Sequence, residues 1–289
     1  MSHLQNPTAR RVVDADTREH KTDFTSIYTS PDPRDYFGAL TPLQYQMPQR
    51  ALLVLQSVLD ASRDQRQRET VLDLCCSYGI ASAMLYAAVG PDQVVARYLD
   101  PAVADLTPDQ LADADARDYA ARRTDVRVVG LDVSAPALAY GRRAGLLAEA
   151  WCEDLEREEP SPALVAGLRD VGVIFSTGGV GYVGTRTFER LLRHAPDPGQ
   201  LWLAIFVLRV FDYAPIAELL GDYGLVTDRL PGTFPQRQFA DATERAAALR
   251  DVRRRGLDPT GRESAGWFHA DCFVSRPASQ AGTPLRLRG

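Results

Sequence analysis

The chain has 289 residues, 45% of them hydrophobic, and a formal net charge of -5. A chain of this length and composition can bury a full core, and we expect one α/β unit with additions. The acidic balance argues against a nucleic acid as partner, because phosphate binding requires a basic surface. No apolar run approaches the roughly 20 residues needed to span a bilayer, which argues against a membrane protein.

The four cysteines fit neither a zinc site nor a disulfide framework, since Cys75 and Cys76 are adjacent while Cys152 and Cys272 stand alone. The N-terminus lacks the charged-then-apolar order of a signal peptide. We therefore expect a soluble, reduced, cytoplasmic protein without a metal site. The oligomeric state is left open, a homodimer included.

The first 69 residues are predicted to form an N-terminal arm and lid. Residues 1–22 are polar and lack periodicity, which is typical of a mobile arm. Residues 23–49 interleave aromatic residues with prolines, and this composition suggests either an irregular cover or ordinary surface packing. Residues 48–61 have the apolar stripe of an amphipathic helix.

Strands and helices then alternate five times, which predicts a Rossmann-like, doubly wound, mostly parallel sheet. The expected strands span residues 71–74, 126–133, 147–152, 171–175 and 201–208. Residues 225–227 and 267–275 suit a closing antiparallel pair, which gives seven strands with an antiparallel last strand. We expect this catalytic domain to span residues 70–276, with a helical insertion at about 92–125 and a flexible tail at 277–289.

Unusual residues fall where the predicted strands end, and ligands of doubly wound sheets bind at that edge. The first strand runs into a turn of small residues, 75–79, that opens a helix. Asp132 ends the second strand, where an acid can accept hydrogen bonds from ribose hydroxyls. Asp154 and Leu155 end the third strand, where they can meet an adenine. A single acid at such a place is often a helix cap, but Asp73, Asp132 and Asp154 at three successive strand ends favour nucleoside binding.

Two common nucleotide motifs are missing. The turn lacks the glycines of the dinucleotide fingerprint, and Asp132 lies well beyond the roughly 20 residues that separate the acid from that fingerprint. A glycine loop followed by Gly-Lys-Ser or Gly-Lys-Thr is also absent, so the chain has no Walker-type phosphate site.

Four segments resemble the motifs of class I S-adenosylmethionine (SAM)-dependent methyltransferases. They read VLDLCCSYGIA from residue 71, GLDVSAPALAYGRRAGL from 130, CEDL from 152 and IFSTGGVGYV from 174. Gly79 matches the last glycine of the first motif, while Cys75 and Ser77 replace the earlier two. The resemblance implies SAM as cofactor, held by Asp73, Cys75, Cys76, Ser77, Gly79, Asp132, Val133, Asp154, Leu155, Ser176 and Thr177.

The acceptor side of the site is less defined by sequence. Methyl transfer depends mainly on positioning, and a general base is needed only for a protonated nucleophile. The candidates for catalysis are Tyr182, Asp212, Tyr213 and His269, although a lone His on an aromatic strand is more often a packed residue. Tyr28 and Tyr45 are expected to close over the ligand. Arg209 and Arg237 are candidates for substrate binding. Arg237 suits a substrate carboxylate, with a surface salt bridge as the alternative.

The leading hypothesis is a SAM-dependent methyltransferase of a small molecule, for example a carboxylate-bearing metabolite or a natural-product intermediate. The fourth-strand segment lacks the acidic or Asn-Pro-Pro-Tyr element that amino-group methyltransferases often have. One alternative is therefore an enzyme of the same fold that cyclises SAM and releases methylthioadenosine. Another is a protein that binds SAM without turnover and acts as a partner.

Overall fold

The computed structural model describes residues 25–62, 69–86, 89–119, 125–282 and 285. The expected mobile arm at residues 1–22 lies outside this described part. The helices are α1 (Thr25–Tyr28), α2 (Arg34–Leu40), α3 (Met47–Ser62), α4 (Ile80–Tyr86), α5 (Pro91–Leu99), α6 (Pro108–Asp118), α7 (Ala135–Arg143), α8 (Pro162–Gly167), α9 (Thr185–His194), α10 (Ala214–Asp222) and α11 (Ala242–Arg254).

Eight strands form one sheet: β1 (Glu69–Leu74), β2 (Val126–Asp132), β3 (Glu149–Cys152), β4 (Val171–Thr177), β5 (Trp202–Leu208), β6 (Leu225–Arg229), β7 (Phe234–Gln238) and β8 (Trp267–Pro277). Their order is β3-β2-β1-β4-β5-β8-β6, with β7 paired to β8 beside this path. The first five strands are parallel, and β8 is antiparallel to its neighbours. The predicted Rossmann-like sheet with an antiparallel last strand is confirmed.

The strand count requires one correction. The sequence predicts seven strands and treats the segment around Arg237 as irregular, but that segment is β7. It follows β6 along the same edge of β8, since β6 pairs with residues 273–277 of β8 and β7 with residues 267–270. A proline inside β7 disguises it, because proline is tolerated in strands mainly at sheet edges.

The core lies on both faces of the sheet. One cluster packs Leu72, Ile174 and Ile205 under helices on one face, and Phe188 of α9 belongs to it. The other cluster packs α3 against Val173 and Phe175 of β4 and Phe206 of β5. β1, β4 and β5 are almost fully buried. Such apolar runs are typical of central parallel strands, and for this reason the positions of these strands could be predicted from the sequence.

The N-terminal helices and the insertion form a third apolar cluster over α4 and α7. The ring of Phe37 stacks on that of Tyr98, with centroids 4.7 Å apart. In the insertion, the fully buried Asp115 accepts hydrogen bonds from Tyr98 and Tyr140 and forms an ion pair with Arg97. This satisfied polar network fixes the insertion to α7.

Beyond residue 276, the strand β8 continues to Pro277 and a short 3-10 turn follows at Ala278–Gln280. In the part of the chain described here, we find no helix with both the length and the apolar character that a bilayer crossing requires.

Candidate functional site

The turn between β1 and α4 has an unusual backbone. Cys75, Ser77 and Gly79 have φ angles of 61°, 50° and 76°, respectively. L-residues with side chains adopt this left-handed region at a cost, and such strain persists mostly at functional sites. The three residues occupy the alternate positions at which the resembling family has glycines. The turn therefore keeps the glycine-type backbone even though two of its glycines are replaced.

Asp132, at the end of β2, ties this turn to the next helix. Its Oδ2 accepts a hydrogen bond from the Ser77 N–H (2.9 Å), and its Oδ1 accepts one from the Ser134 N–H (2.9 Å). Burial raises the pKa of Asp132, while these backbone hydrogen bonds lower it. Each carboxylate oxygen keeps a second lone pair. The carboxylate can therefore hold the turn and still accept hydrogen bonds from a ligand.

Asp73 is almost completely buried in β1, directly before the turn. Burial, with a further contribution from the charge of Asp132, raises the pKa of Asp73 to about 8. Within the described residues, neither Asp73 nor Asp132 forms an ion pair. A buried acid without a counter-charge is costly to ionise, and a cationic ligand would relieve that cost.

The end of β3 lies beside the end of β2, with Asp132 paired to Cys152 in the sheet. Asp154 is half-buried and accepts a hydrogen bond from the Glu156 N–H. Leu155 is 2% exposed and belongs to the core, so its side chain offers a ligand almost no free surface. Val133 is 67% exposed instead, and it is the apolar side chain at this edge that a planar ring can cover.

The segment after β4 closes tightly on the turn. A Cβ on Gly179 would lie 2.8 Å from Cys75 Sγ and 2.7 Å from Ser176 Oγ, so only glycine fits there. Ser176 is fully buried and its hydroxyl accepts a hydrogen bond from the Gly179 N–H. Cys76 is buried beneath the turn, where its Sγ packs against Gly130. Cys76 is therefore packed beneath the turn, with 7% of its surface exposed.

Aromatic side chains of the N-terminal segment lie over this edge. The Tyr28 carbonyl accepts a hydrogen bond from the Ser134 hydroxyl (2.5 Å). The Tyr78 hydroxyl, inside the turn, donates to the carbonyls of Ile27 and Ser30. The first helical segment is thus fixed directly onto the turn and onto the helix cap beside Asp132.

Tyr45 reaches the same place from the segment before α3. Burial raises the pKa of Tyr45 to about 12, with hydrogen bonds to Tyr36 and Thr177 acting in the opposite direction. Burial also raises the pKa of Tyr28, on which the charges of Tyr45, Tyr182 and Asp132 act in addition. The structure therefore brings Tyr28, Tyr45 and Thr177 together with the two acids. Tyr182 lies beside them and is 56% exposed.

Arg237 is buried in β7 and its guanidinium is engaged. Nη1 and Nη2 donate to the two carboxylate oxygens of Glu244 at 2.8 and 2.7 Å. The guanidinium also lies over the ring of Phe268, 4.9 Å from its centroid. A surface salt bridge was the alternative predicted for Arg237, but the pair is buried. The bidentate partner that a substrate carboxylate would provide is already supplied by Glu244.

Arg209 is engaged in the same way at the end of β5. Its Nη1 contacts both carboxylate oxygens of Glu263 at 3.0 and 2.7 Å, and Nη2 donates to the Asp258 carbonyl. Burial lowers the pKa of His269 to about 4, and the charges of Arg209 and Arg262 add to this effect. His269 Nδ1 lies 2.9 Å from Thr233 Oγ1. Arg209 and His269 thus belong to a separate, arginine-rich group.

The two remaining catalytic candidates lie away from the turn. Asp212 is exposed, accepts the Ala214 N–H at the start of α10 and pairs with Arg255. Tyr213 is 1% exposed in the core, with its ring stacked on Phe273 at 4.4 Å. Both follow β5 in sequence, but the start of α10 directs Tyr213 into the core. The Tyr213 side chain therefore packs in the core and offers a substrate almost no surface.

Sequence reasoning missed Ser134, Tyr78 and Gln236, whose side chains meet this edge. Ser134 lies inside the second quoted motif and caps α7, with its hydroxyl accepting from the Ala137 N–H. Tyr78 lies inside the quoted first motif, and a large aromatic among small turn residues was the signal. Gln236 had no signal, because its segment did not read as a strand. Among the described residues, no group of three or more His, Cys, Asp or Glu side chains could hold a metal ion.

Comparison with known proteins gives similarity in structure alone. No family model matches the chain, and no curated protein sequence matches it. Among solved structures, the plantazolicin methyltransferase BpumL in complex with SAH has a TM-score of 0.41 and 12% identity, covering 91% of this chain and 91% of its own.

Two Geobacter proteins are also similar. The precorrin-6y C5,15-methyltransferase from Geobacter metallireducens has a TM-score of 0.39 and 9% identity, over 78% of this chain and 87% of its own. A SAM-dependent methyltransferase from Geobacter sulfurreducens, in complex with S-adenosyl-L-homocysteine, has a TM-score of 0.36 and 14% identity, over 77% and 90%. At such identities, the role of each residue has to come from the geometry of this chain.

Proposed function

We propose that this chain is a SAM-dependent methyltransferase that acts on a small molecule. The observation that carries the proposal is the left-handed backbone at Cys75, Ser77 and Gly79, joined to Asp132 through the Ser77 N–H. A sequence that kept this turn for packing alone would gain stability from glycine at positions 75 and 77. The strained turn instead indicates a ligand that lies against it.

The residues around the turn fit SAM. The molecule has a ribose with two hydroxyls and two positive centres, a sulfonium and an ammonium. Asp132 would accept the ribose hydroxyls, and Asp73 lies where a positive charge is stabilising. Among the described residues, the buried Ser77 hydroxyl has no hydrogen-bond partner, and a polar ligand atom would satisfy it. Val133 would pack against the face of the adenine ring. The Asp154 carboxylate would accept a hydrogen bond from the amino group of the adenine.

Bound SAM would supply an electrophilic methyl group for in-line displacement by the substrate. The chain's own contribution is to position the two molecules and to exclude water. Tyr28 and Tyr45 cover the edge of the sheet beside Asp73, and Thr177 holds Tyr45. Tyr182 would be the group nearest to solvent and the candidate for accepting a proton from the substrate.

The two arginines do not favour a carboxylate-bearing substrate. Arg209 and Arg237 each form a buried ion pair, with Glu263 and Glu244 respectively. Opening either pair would leave a buried acid without its partner, which costs about 3–5 kcal/mol. For this reason the proposed substrate is a small molecule that these arginines do not anchor.

The test combines calorimetry with product analysis. The protein is titrated with SAM and then incubated with SAM and a set of small-molecule acceptors. The proposal predicts binding of one SAM per chain and formation of S-adenosylhomocysteine with a methylated acceptor. Methylthioadenosine as the product would show a different use of SAM. Absence of SAM binding by the folded protein would remove the proposal altogether.

A further inference from the structure

Gln236 occupies a special place in β7. In the pairing with β8, Pro235 faces His269 and Arg237 faces Phe268, so Gln236 is the residue without a facing partner. This is the pattern of a β-bulge, in which one extra residue re-aims a side chain, often next to an active site. The Gln236 carbonyl accepts a hydrogen bond from the Gln46 N–H (2.9 Å). The bulge is therefore fixed to the same N-terminal segment that carries Tyr45.

The amide of Gln236 points to the carboxyl end of β4. Its Nε2 lies 3.3 Å from the position that a Cβ on Gly178 would take. Gly178 directly follows Thr177, the residue that holds Tyr45. The side chain thus reaches from the edge of the sheet to the glycine segment that faces the turn.

This amide is buried and incompletely paired. Gln236 is 7% exposed, and its Oε1 is buried without any hydrogen-bond partner in the structure. A buried acceptor without a hydrogen-bond donor destabilises the fold relative to a satisfied one. Buried polar atoms in proteins are almost always paired, so an exception calls for an explanation. A ligand that donates a hydrogen bond to Oε1 provides one.

The surroundings define the chemistry of that ligand. The ring of Phe211 closes on Gly181, where a Cβ would lie 2.5 Å from the nearest ring atom. The ring of Phe234, two residues before Gln236, packs on that of Phe206 at 5.1 Å. Arg237, the next residue in β7, is neutralised by Glu244. The ring of Phe211 thus borders the glycine segment 178–181, and Phe234 lies two residues from the open acceptor Gln236 Oε1.

We propose that Gln236 determines acceptor specificity, and that the substrate is an uncharged aromatic molecule whose O–H or N–H donates a hydrogen bond to Gln236 Oε1. This inference rests on the proposed methyl transfer and deepens it. The substrate class is that of phenols and arylamines. An analogue that lacks the donor would leave Oε1 unpaired and would be discriminated against.

The test uses phenol, anisole and benzoate as matched probes. Anisole lacks the donor, and benzoate carries a negative charge. Each is titrated by ligand-observed NMR into the protein saturated with S-adenosylhomocysteine. Wild type should bind phenol about tenfold more tightly than anisole, since one hydrogen bond to a buried acceptor is worth about 1.4 kcal/mol. Benzoate should bind more weakly than phenol.

The variant Gln236→Met replaces the amide by an apolar side chain of similar length. Its preference for phenol over anisole should fall to near one, while the affinity for S-adenosylhomocysteine should not change. Its melting temperature should stay equal or rise, because an unsatisfied acceptor is removed. The matched control is Gln238→Met, two residues further along β7, which should keep the preference.

Four results would overturn the inference: an unchanged preference in Gln236→Met, tighter binding of benzoate than of phenol, binding of none of the probes, or a lower melting temperature in Gln236→Met. The last would identify the amide as a structural residue. Failure of the proposed function would appear separately, as absence of S-adenosylhomocysteine binding by wild type.

Discussion

Two pairs of acids lie near the carboxyl edge of this sheet, and they differ in their partners. Glu244 and Glu263 each bind an arginine with both carboxylate oxygens engaged. Asp73 and Asp132 have no cation among the described residues, and burial raises the pKa of both. The Arg237–Glu244 pair joins β7 to α11, and the Arg209–Glu263 pair joins the end of β5 to the turn before β8. The unpaired acids lie beside a strained turn, where a cationic ligand can supply the missing charge.

The largest effect is expected on the paired side. Replacing Arg237 by Met leaves Glu244 buried without its partner, which should cost about 3–5 kcal/mol in the free energy of unfolding. Chemical denaturation measures this loss. The double variant Arg237→Met/Glu244→Gln removes both charges and should recover most of the stability. Equal losses in the single and the double variant would show that the charge pairing is not the cause.

On the unpaired side, Asp132→Ala should abolish most SAM binding. Loss of charge-assisted hydrogen bonds to the ribose costs about 3 kcal/mol, or roughly a 100-fold increase in Kd. Calorimetry measures Kd, and circular dichroism checks that the variant is folded. Asp212→Ala is the control, because this exposed acid only caps α10 and pairs with Arg255. Unchanged affinity in folded Asp132→Ala would mean that the ribose binds elsewhere.

Asp73→Asn should remove a pH dependence of stability and, as a separate effect, weaken SAM binding. The pKa of Asp73 is about 8 in the folded protein, against about 3.9 in an unfolded chain. Between these values the folded state holds a proton that the unfolded state has lost, so stability falls as pH rises from about 4 to about 8. Asparagine cannot ionise, and the variant should lack this fall.

The corresponding measurement is the melting temperature of wild type and Asp73→Asn at several pH values. The melting temperature of the variant should rise relative to that of wild type as pH increases to about 8. Its Kd for SAM should increase about tenfold, because the charge is lost. A constant difference in melting temperature across this pH range would contradict the burial of an unpaired carboxyl.

The smallest effect concerns the turn. Ser77→Gly should stabilise the free protein by about 1 kcal/mol, because glycine adopts a φ of 50° without strain. Thermal denaturation measures the gain. Ser57→Gly, inside α3, is the control and should destabilise by a similar amount, since glycine is unfavourable within a helix. A destabilised Ser77→Gly would show that the Ser77 side chain has a structural role.

Sequence alone predicted most of the fold for physical reasons. The central strands are apolar runs buried on both faces, and a capping hydroxyl residue with a proline close behind it marks the starts of α6 and α7. Both positions of the closing pair, β6 and β8, were also predicted. The strand β7 was not, because it contains a proline, lies at an edge and carries a bulge that breaks the alternation of its side chains.

The candidate site could be predicted at those residues whose place in the fold follows from their position along the chain. Asp73, Ser77 and Asp132 lie at strand ends, and parallel strands bring their carboxyl ends to one edge. Position could not reveal that Arg209 pairs with Glu263, 54 residues away, or that Tyr213 turns into the core. Such pairings depend on side-chain direction in the folded state, which neither spacing nor composition records.

We infer that the unpaired acids Asp73 and Asp132 bind a cationic ligand. Calorimetric titration with SAM at pH 7, repeated in buffers of different ionisation enthalpy, tests it most directly. The ligand's positive charge should lower the pKa of Asp73 from about 8, so binding should release a proton and the heat should depend on the buffer. Tight binding without proton release would contradict the role of Asp73, and no binding would contradict the site as a whole.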